Sequence, residues 1–237
     1  FRRLFSIIKT YKQRVFIGYN RPFARAFAQI FALLCDDDLK KPFSLNCFIS
    51  GHLLEEGHWY RDPEEGSRVC GNLGHWIDLC VHCFSKRGFM PESIMIQVMS
   101  ANKENPDDDL VVTLKTPHND ICSMMLTARS EPFEGINETI NFQQSNLIAK
   151  IDDFRQLVIW KGVKKNKYNY RIKDPGHMKS IMQPFSINYD WQQRLREVEF
   201  STLLMLKIKE MVMAGIRTTE NFVIPELHAR FYDKETI

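Results

Sequence analysis

The sequence lacks any run of about 18 consecutive apolar residues, which excludes a transmembrane helix of ordinary length. Its 237 residues begin with Phe1, and no apolar stretch with a small-residue cleavage site opens them, so we expect a fragment without a signal peptide. Internal repeats and linkers rich in Gly, Ser and Pro are also missing. We therefore expect one soluble domain over residues 1–237.

Positive and negative charges in the sequence are nearly balanced. With 44% hydrophobic, 12% aromatic and 26% charged residues, it is typical of a folded protein and excludes a disordered chain. The net charge of +3 is too small to indicate a nucleic-acid partner by itself. It permits such a partner if positive charge is concentrated locally.

The cysteines lie in apolar or mixed surroundings, in a chain long enough not to need disulfides. This usage predicts reduced, buried thiols and an intracellular protein of the nucleus or cytoplasm. A second interpretation is a zinc site made by Cys80 and Cys83 with Cys70, His75 and His82. The helical spacing of apolar residues around Cys80 favours core thiols instead. The six cysteines are Cys35, Cys47, Cys70, Cys80, Cys83 and Cys122.

Apolar periodicity and turn residues predict interleaved helices and strands. The helices are expected over residues 22–35, 74–84, 142–151 and 191–213. The strands are expected over 43–54, 93–100, 110–116, 154–163 and 167–174, the last two joined by a turn at 164–166. Pro132 and Gly135 indicate a long connection over 117–141. Without a strict β-α-β rhythm, the pattern predicts an α+β domain with a mixed sheet.

Four short blocks, in this order, resemble motifs of the decapping exoribonuclease (DXO) family. They are Gly74-His75-Trp76-Ile77-Asp78, Ser100-Ala101-Asn102, Thr113-Leu114-Lys115 and Phe142-Gln143-Gln144-Ser145-Asn146-Leu147. The segments that follow are similar to the family's later strands and final helix, so the resemblance covers roughly residues 20 to 213. It implies a single domain of two mixed β-sheets, surrounded by helices, with a central cleft.

The resemblance also implies a site that has lost most of its acids. Asp78, Lys115 and Gln144 would be the remnants of the catalytic site, and Asp78 would be a weak metal ligand. Three family carboxylates are replaced by Ser100, Asn102 and Thr113. Neutral oxygens do not supply the charge that two Mg²⁺ or Mn²⁺ ions require. We therefore expect no tightly bound cofactor, with Mg or Mn used only if the protein is an active enzyme.

A basic segment suggests the ligand of such a cleft. Its cations alternate with Trp160, Tyr168 and Tyr170, and aromatic rings between cations suit single-stranded RNA. Alternate residues of a hairpin also face solvent, so these charges could simply be a hydrated surface. Arg25 is the nearest counterpart of the family's arginine that faces the 5′ phosphate. The other candidates are Lys161, Lys164, Lys165, Lys167 and Arg171.

The resulting hypothesis is a DXO-like protein that binds RNA 5′ ends without catalysis, in RNA quality control or silencing. A protein partner is compatible with it, and neither a membrane nor DNA is expected as a partner. One alternative is an active metal-dependent decapping 5′–3′ exoribonuclease, which would use Asp78, Lys115 and Gln144 together with acids from Glu104, Asp107, Asp108 or Asp109. Another is an interaction scaffold that binds no RNA.

Overall fold

In the part of the chain that the structure describes, nine strands form one sheet. The computed structural model describes residues 16–62, 66–131, 135–187, 189–215 and 219–225, together with residues 3 and 7. The strands are β1 Phe43–Ser50, β2 Ser93–Ser100, β3 Leu110–Lys115, β4 Ile121–Thr127, β5 Asn137–Gln144, β6 Leu147–Asp152, β7 Gln156–Lys161, β8 Lys164–Asn169 and β9 Thr219–Val223. The described α-helices are α1 Arg25–Phe31, α2 Asp36–Leu39, α3 Gly74–Lys86, α4 His177–Met182 and α5 Trp191–Met213.

The sheet is open and mixed, in the order β8-β7-β6-β5-β1-β4-β3-β2-β9. Strand β1 pairs in parallel with β4, and the other seven pairings are antiparallel. The expectation of two mixed sheets around a central cleft was therefore wrong. All nine strands belong to one sheet, because β1 is hydrogen-bonded to β4 on one side and to β5 on the other and so links the two halves.

Helices cover one face of this sheet. Along β1 the buried residues alternate with exposed ones, and the buried Phe43 ring lies 5.6 Å from Phe84 of α3 and 5.8 Å from Phe142 of β5. Helices α3 and α5 pack together over that face, and their apolar residues belong to the same buried core as the strands. The opposite face carries partly exposed Phe48, Met99 and Met125. The molecule thus has two layers, with one sheet face uncovered by the described residues.

Several predicted elements are confirmed. Helix α5 spans the predicted 191–213 and ends just before Gly215, whose φ of +66° suits glycine. Helix α3 contains the predicted 74–84, and β1, β2 and β3 lie in the predicted strands. The predicted helix over 22–35 is shorter, with its α-helical part at Arg25–Phe31.

The main error lies in the stretch 117–151. The predicted helix over 142–151 is a β-hairpin, in which Gln144 pairs with Leu147 across a two-residue turn at Ser145, φ +54°. The predicted long connection contains strand β4 and the start of β5, while Pro132 lies outside the described residues. The predicted hairpin of β7 and β8 is confirmed, but it turns at Gly162, φ +59°, rather than at 164–166.

The cysteines are free thiols, as expected, and four of them, Cys47, Cys80, Cys83 and Cys122, are buried. Burial raises the pKa of the Cys83 thiol well above its usual value. Among the described residues, no group of three or more His, Cys, Asp or Glu side chains is placed to hold a metal ion. Within the same residues, no helix is long and apolar enough to cross a membrane.

Candidate functional site

A buried ion pair lies where the segment before α1 meets strand β5. Arg21 donates from Nε to Oε1 of Glu138 at 2.7 Å, and its Nη2 lies 2.5 Å from the same oxygen. Its Nη1 donates to Oδ1 of Asn20 at 2.8 Å, and Asn20 donates to the Pro175 carbonyl at 2.9 Å. Arg21 and Glu138 are both buried. Each charge is therefore compensated within the protein, as burial requires.

A second cation extends this pair. Lys173 Nζ lies 3.3 Å from Oε2 of Glu138 and 2.5 Å from Oδ1 of Asp153. Asp153 and Phe154 both have positive φ in the turn between β6 and β7. The alternating charges fix the Arg21 guanidinium, which lies 4.8 Å from the ring centroid of Trp76. Arg21 is thereby held beside the start of helix α3.

His75 is the residue that this network borders. Its ring is mostly buried, and its Nδ1 has no hydrogen-bond partner among the described residues. Burial first, and then the neighbouring Arg21 and His177, lower the pKa of His75 to about 3. A buried nitrogen without a partner is uncommon in folded proteins. His75 is therefore a neutral imidazole with an unused hydrogen-bonding position.

The start of helix α3 packs closely against its neighbours beside this histidine. A Cβ at Gly74 would lie 2.9 Å from Sδ of Met205 and 3.5 Å from the Tyr19 ring. Tyr19 packs edge-on against His75 with ring centroids 5.7 Å apart, and burial raises its pKa to about 12. The preceding residues Val69–Leu73 form a π-helical turn, a conformation that often marks functional sites.

The chemistry that this arrangement supports is hydrogen bonding to a neutral group. His75 is unprotonated at neutral pH, and the Arg21 charge is already compensated by Glu138. A hydroxyl group can donate to a free imidazole nitrogen at no cost in buried charge. The arrangement is thus suited to hydrogen bonding rather than to holding a cation.

The sequence pattern did not single out His75 for this role. It was considered only as an alternative zinc ligand, and as part of the block that ends in Asp78. The available signal was a histidine between a glycine and a tryptophan at the start of a predicted helix, near Gly71 and Gly74. Its neighbours Arg21 and His177 come from distant parts of the chain.

Asp78, expected as a metal ligand, is fully buried between helices α3 and α5. Its Oδ2 accepts from Nη2 of Arg194 at 2.9 Å, and its Oδ1 accepts from Oγ of Ser201 at 2.8 Å. Arg194 also donates to Glu197 at 2.8 Å. Both carboxylate oxygens are thus engaged in joining two helices.

Lys115 and Thr113 lie on the other side of the sheet. In β3 the buried residues Leu110, Val112 and Leu114 face the helices, so Thr113 and Lys115 point to the open face. The sheet therefore separates them from Asp78, and the structure does not bring these predicted site residues together.

The remaining positions of the predicted catalytic site have local roles. Gln144 is buried, and its Nε2 donates to the carbonyls of Leu39 and Lys41 at 3.1 and 2.8 Å. Ser100 donates to the Asn102 carbonyl at 2.9 Å, and Oδ1 of Asn102 accepts from two backbone amides. These bonds close a turn and hold the segment before β1.

The acidic residues proposed for an active exoribonuclease also lie in separate local contacts. Asp108 pairs with Arg61 and with the buried Arg68, at 2.9 and 3.0 Å. Asp107 accepts from the Arg68 backbone amide at 2.8 Å, and Asp109 accepts from Thr127 at 2.7 Å. The backbone amide of Glu104 donates to Asn102 within the same turn.

The predicted RNA-binding cations lie on helix α1, on strand β7, and on and just after the edge strand β8. Arg25 stacks over Tyr170 at 5.2 Å, and Lys161 donates to the Leu33 carbonyl. Three more of the predicted cations are exposed on the edge strand β8, namely Lys164, Lys165 and Lys167. Lys165 lies 5.4 Å from the Trp160 ring, and Arg171 is exposed beyond the strand.

Comparison with known proteins gives a likeness in structure only. No protein-family model and no curated protein sequence matches the chain. A dehydrogenase from Clostridium difficile matches 88% of this chain and 65% of its own, with a TM-score of 0.61 and 14% identity. A dehydrogenase from Chromobacterium violaceum matches 90% of this chain and 65% of its own, with a TM-score of 0.62 and 14% identity.

A third solved structure is a UDP-N-acetylglucosamine 3-dehydrogenase from Acidithiobacillus ferrooxidans. It matches 91% of this chain and 67% of its own, with a TM-score of 0.64 and 12% identity. The chain thus spans about two thirds of the length of the structures it matches.

These matches correct the expected family and function. The resemblance to the decapping exoribonucleases was wrong, since the solved structures that the chain matches include dehydrogenases and oxidoreductases. These matches also overturn the expected RNA 5′-end binding and its decapping and scaffold alternatives. The chain has the fold of a single open mixed sheet that these dehydrogenases share.

Proposed function

We propose that this chain is the hydroxyl-binding, proton-accepting part of a dehydrogenase that oxidises a ring hydroxyl of a sugar or cyclitol. The observation that carries the proposal is the neutral, mostly buried His75, whose Nδ1 has no partner among the described residues. The fold supports it, because one structure of this fold is a UDP-N-acetylglucosamine 3-dehydrogenase. The name of that enzyme gives a ring position of a sugar as the site of oxidation.

His75 would accept the hydrogen bond of the substrate hydroxyl and take its proton as the carbon is oxidised. A base with a pKa near 3 is weak against an ordinary alcohol. The oxygen becomes far more acidic as it turns into a carbonyl, so a weak base suffices at that stage. Burial, reinforced by the Arg21 charge, keeps the imidazole unprotonated before the substrate arrives.

A dehydrogenase also needs a hydride acceptor, for which a nicotinamide dinucleotide is the usual cofactor. The residues of this chain do not fit that cofactor. The sequence has no G-x-G-x-x-G fingerprint. A dinucleotide-binding sheet is parallel, whereas seven of the eight pairings here are antiparallel. The proposal therefore gives this chain the acid–base side of the reaction.

Replacing His75 with glutamine is expected to weaken the binding of cyclic polyols. We expect saturation-transfer NMR on the full chain to detect myo-inositol and UDP-N-acetylglucosamine, and H75Q to bind them about three- to tenfold more weakly, the range for one neutral hydrogen bond. His118→Ala is the matched control, because His118 is an exposed histidine in the turn before β4. If H75Q binds as well as the native chain, or if the native chain binds neither compound, the proposal is wrong.

The same histidine makes the stability of the fold depend on pH. In the unfolded chain His75 takes up a proton near the ordinary histidine pKa of 6.5, whereas the folded protein resists protonation down to about pH 3. The unfolded state therefore binds more protons in this window, and acidification lowers the free energy of unfolding. H75Q should show a flatter dependence, with a difference in slope of at most about 1.4 kcal/mol per pH unit. Urea unfolding at a series of pH values measures it, and equal slopes for the two proteins would contradict it.

A further inference from the structure

Three aromatic rings form a compact group in the loop after β1. Trp59 and Tyr60 have ring centroids 4.1 Å apart, and His58 lies 5.8 Å from Trp59 and 4.8 Å from Tyr60. The Tyr60 backbone amide donates to Nδ1 of His58 at 3.1 Å. Trp59 is nevertheless 52% exposed, whereas Trp76 is completely buried in the core. Its large apolar face is thus held in place by neighbours and presented to solvent.

This group contacts the turn that leads into helix α3. A Cβ added at Gly71 would lie 2.1 Å from Cε1 and 2.6 Å from the hydroxyl oxygen of Tyr60. The Tyr60 ring therefore lies directly on the Gly71 backbone, a position where any side chain would displace it. Gly71 precedes His75 by about one helical turn, so the two positions lie on similar faces of the segment.

The loop is fixed at its next residue as well. Arg61 forms a two-point contact with Asp108, at 3.2 Å from Nη1 and 2.9 Å from Nη2. Asp108 is shared with the buried Arg68, which also donates from Nη2 to the His52 carbonyl. Since both flanks of Trp59 are anchored, its indole needs little ordering when a ligand binds.

We propose that Trp59, supported by Tyr60, is the stacking platform for the ring of the substrate whose hydroxyl is accepted by His75. This inference rests on the function proposed above and deepens it. A pyranose or cyclitol ring has an apolar face of C–H groups, which matches a rigid indole, and polar hydroxyls at its edge, which match an imidazole. Trp59 would thus select closed rings over open-chain polyols.

The test compares closed and open polyols on the full chain. Binding of myo-inositol and of the open-chain sorbitol is measured by saturation-transfer NMR for the native protein, W59A and W59F. We expect W59A to bind myo-inositol about tenfold more weakly, and W59F to stay within about threefold, since aromatic stacking contributes roughly 0.5–1.5 kcal/mol. Sorbitol binding should be the same in all three proteins. Leu53→Ala is the matched control, because Leu53 is an exposed apolar residue of the same loop.

A second variant tests the placement independently. G71A pushes the Tyr60 ring away, so it should also weaken myo-inositol binding while leaving sorbitol unchanged. If W59A and G71A bind myo-inositol as tightly as the native chain and H75Q binds it more weakly, Trp59 is not the stacking platform and the proposed function stands. If the native chain binds neither polyol, both are wrong.

Discussion

Replacing Arg194 with alanine is expected to lower the free energy of unfolding by about 3–5 kcal/mol, because it leaves buried carboxylates without a counter-charge. Arg194 joins Asp78 of α3 to Glu197 of α5, at 2.9 and 2.8 Å, and all three are buried. Burial raises the pKa of Glu197, but His82 and Arg194 outweigh it and bring that pKa down to about 2. Without Arg194, much of that compensation is lost.

Urea unfolding followed by circular dichroism measures the loss. Lys40→Ala is the control, because Lys40 forms an exposed pair with Asp37, and such pairs contribute about 0–1 kcal/mol. A triple variant, Arg194→Met with Asp78→Asn and Glu197→Gln, removes the charges together and should recover part of the stability. A loss below about 1 kcal/mol in R194A would contradict the assignment of this network as the link between the two helices.

Gly176→Ala is expected to cost about 3 kcal/mol, and to disturb the His75 site as well. Gly176 has a φ of +93°, which side chains rarely adopt. An added Cβ would lie 2.3 Å from the Asn20 carbonyl oxygen and 2.5 Å from the Ala24 amide nitrogen. Because these are backbone atoms, the segment that carries Arg21 has to move.

Thermal unfolding gives the stability of G176A, and the chemical shifts of His75 report on the site. Gly162→Ala is the matched control, since Gly162 also has positive φ, +59°, but no atom within 4 Å of an added Cβ. It should cost only about 1 kcal/mol. Equal losses in the two variants would mean that the crowding at Gly176 is relieved without cost.

The elements with long, regular patterns could be predicted from the sequence. Helix α5 has 23 residues with apolar side chains at helical spacing, and Gly215 follows it. The stretch 142–151 failed because its apolar residues, Phe142 and Leu147 among them, are compatible with either period over ten positions. The turn at Ser145 decides for a hairpin, and serine is a weak turn signal.

The site could not be predicted because its contacts are long-range. Asp78 carries a carboxylate, as a metal ligand would, but its partner Arg194 lies 116 residues away in the sequence. Arg21 likewise meets Glu138 across 117 residues. Short blocks such as Gly74 to Asp78 describe a helix start, whereas the fold is determined by long-range pairings such as β1 with β4.

The lysines of β8 have a consequence for the behaviour of the protein at high concentration. An outermost strand offers unpaired backbone groups to any other extended chain, which is a common route to fibril-like stacking. Lys164, Lys165 and Lys167 place three positive charges within four residues of that strand. Two copies that approach through this side repel each other, so the cluster that suggested an RNA ligand protects the protein against aggregation.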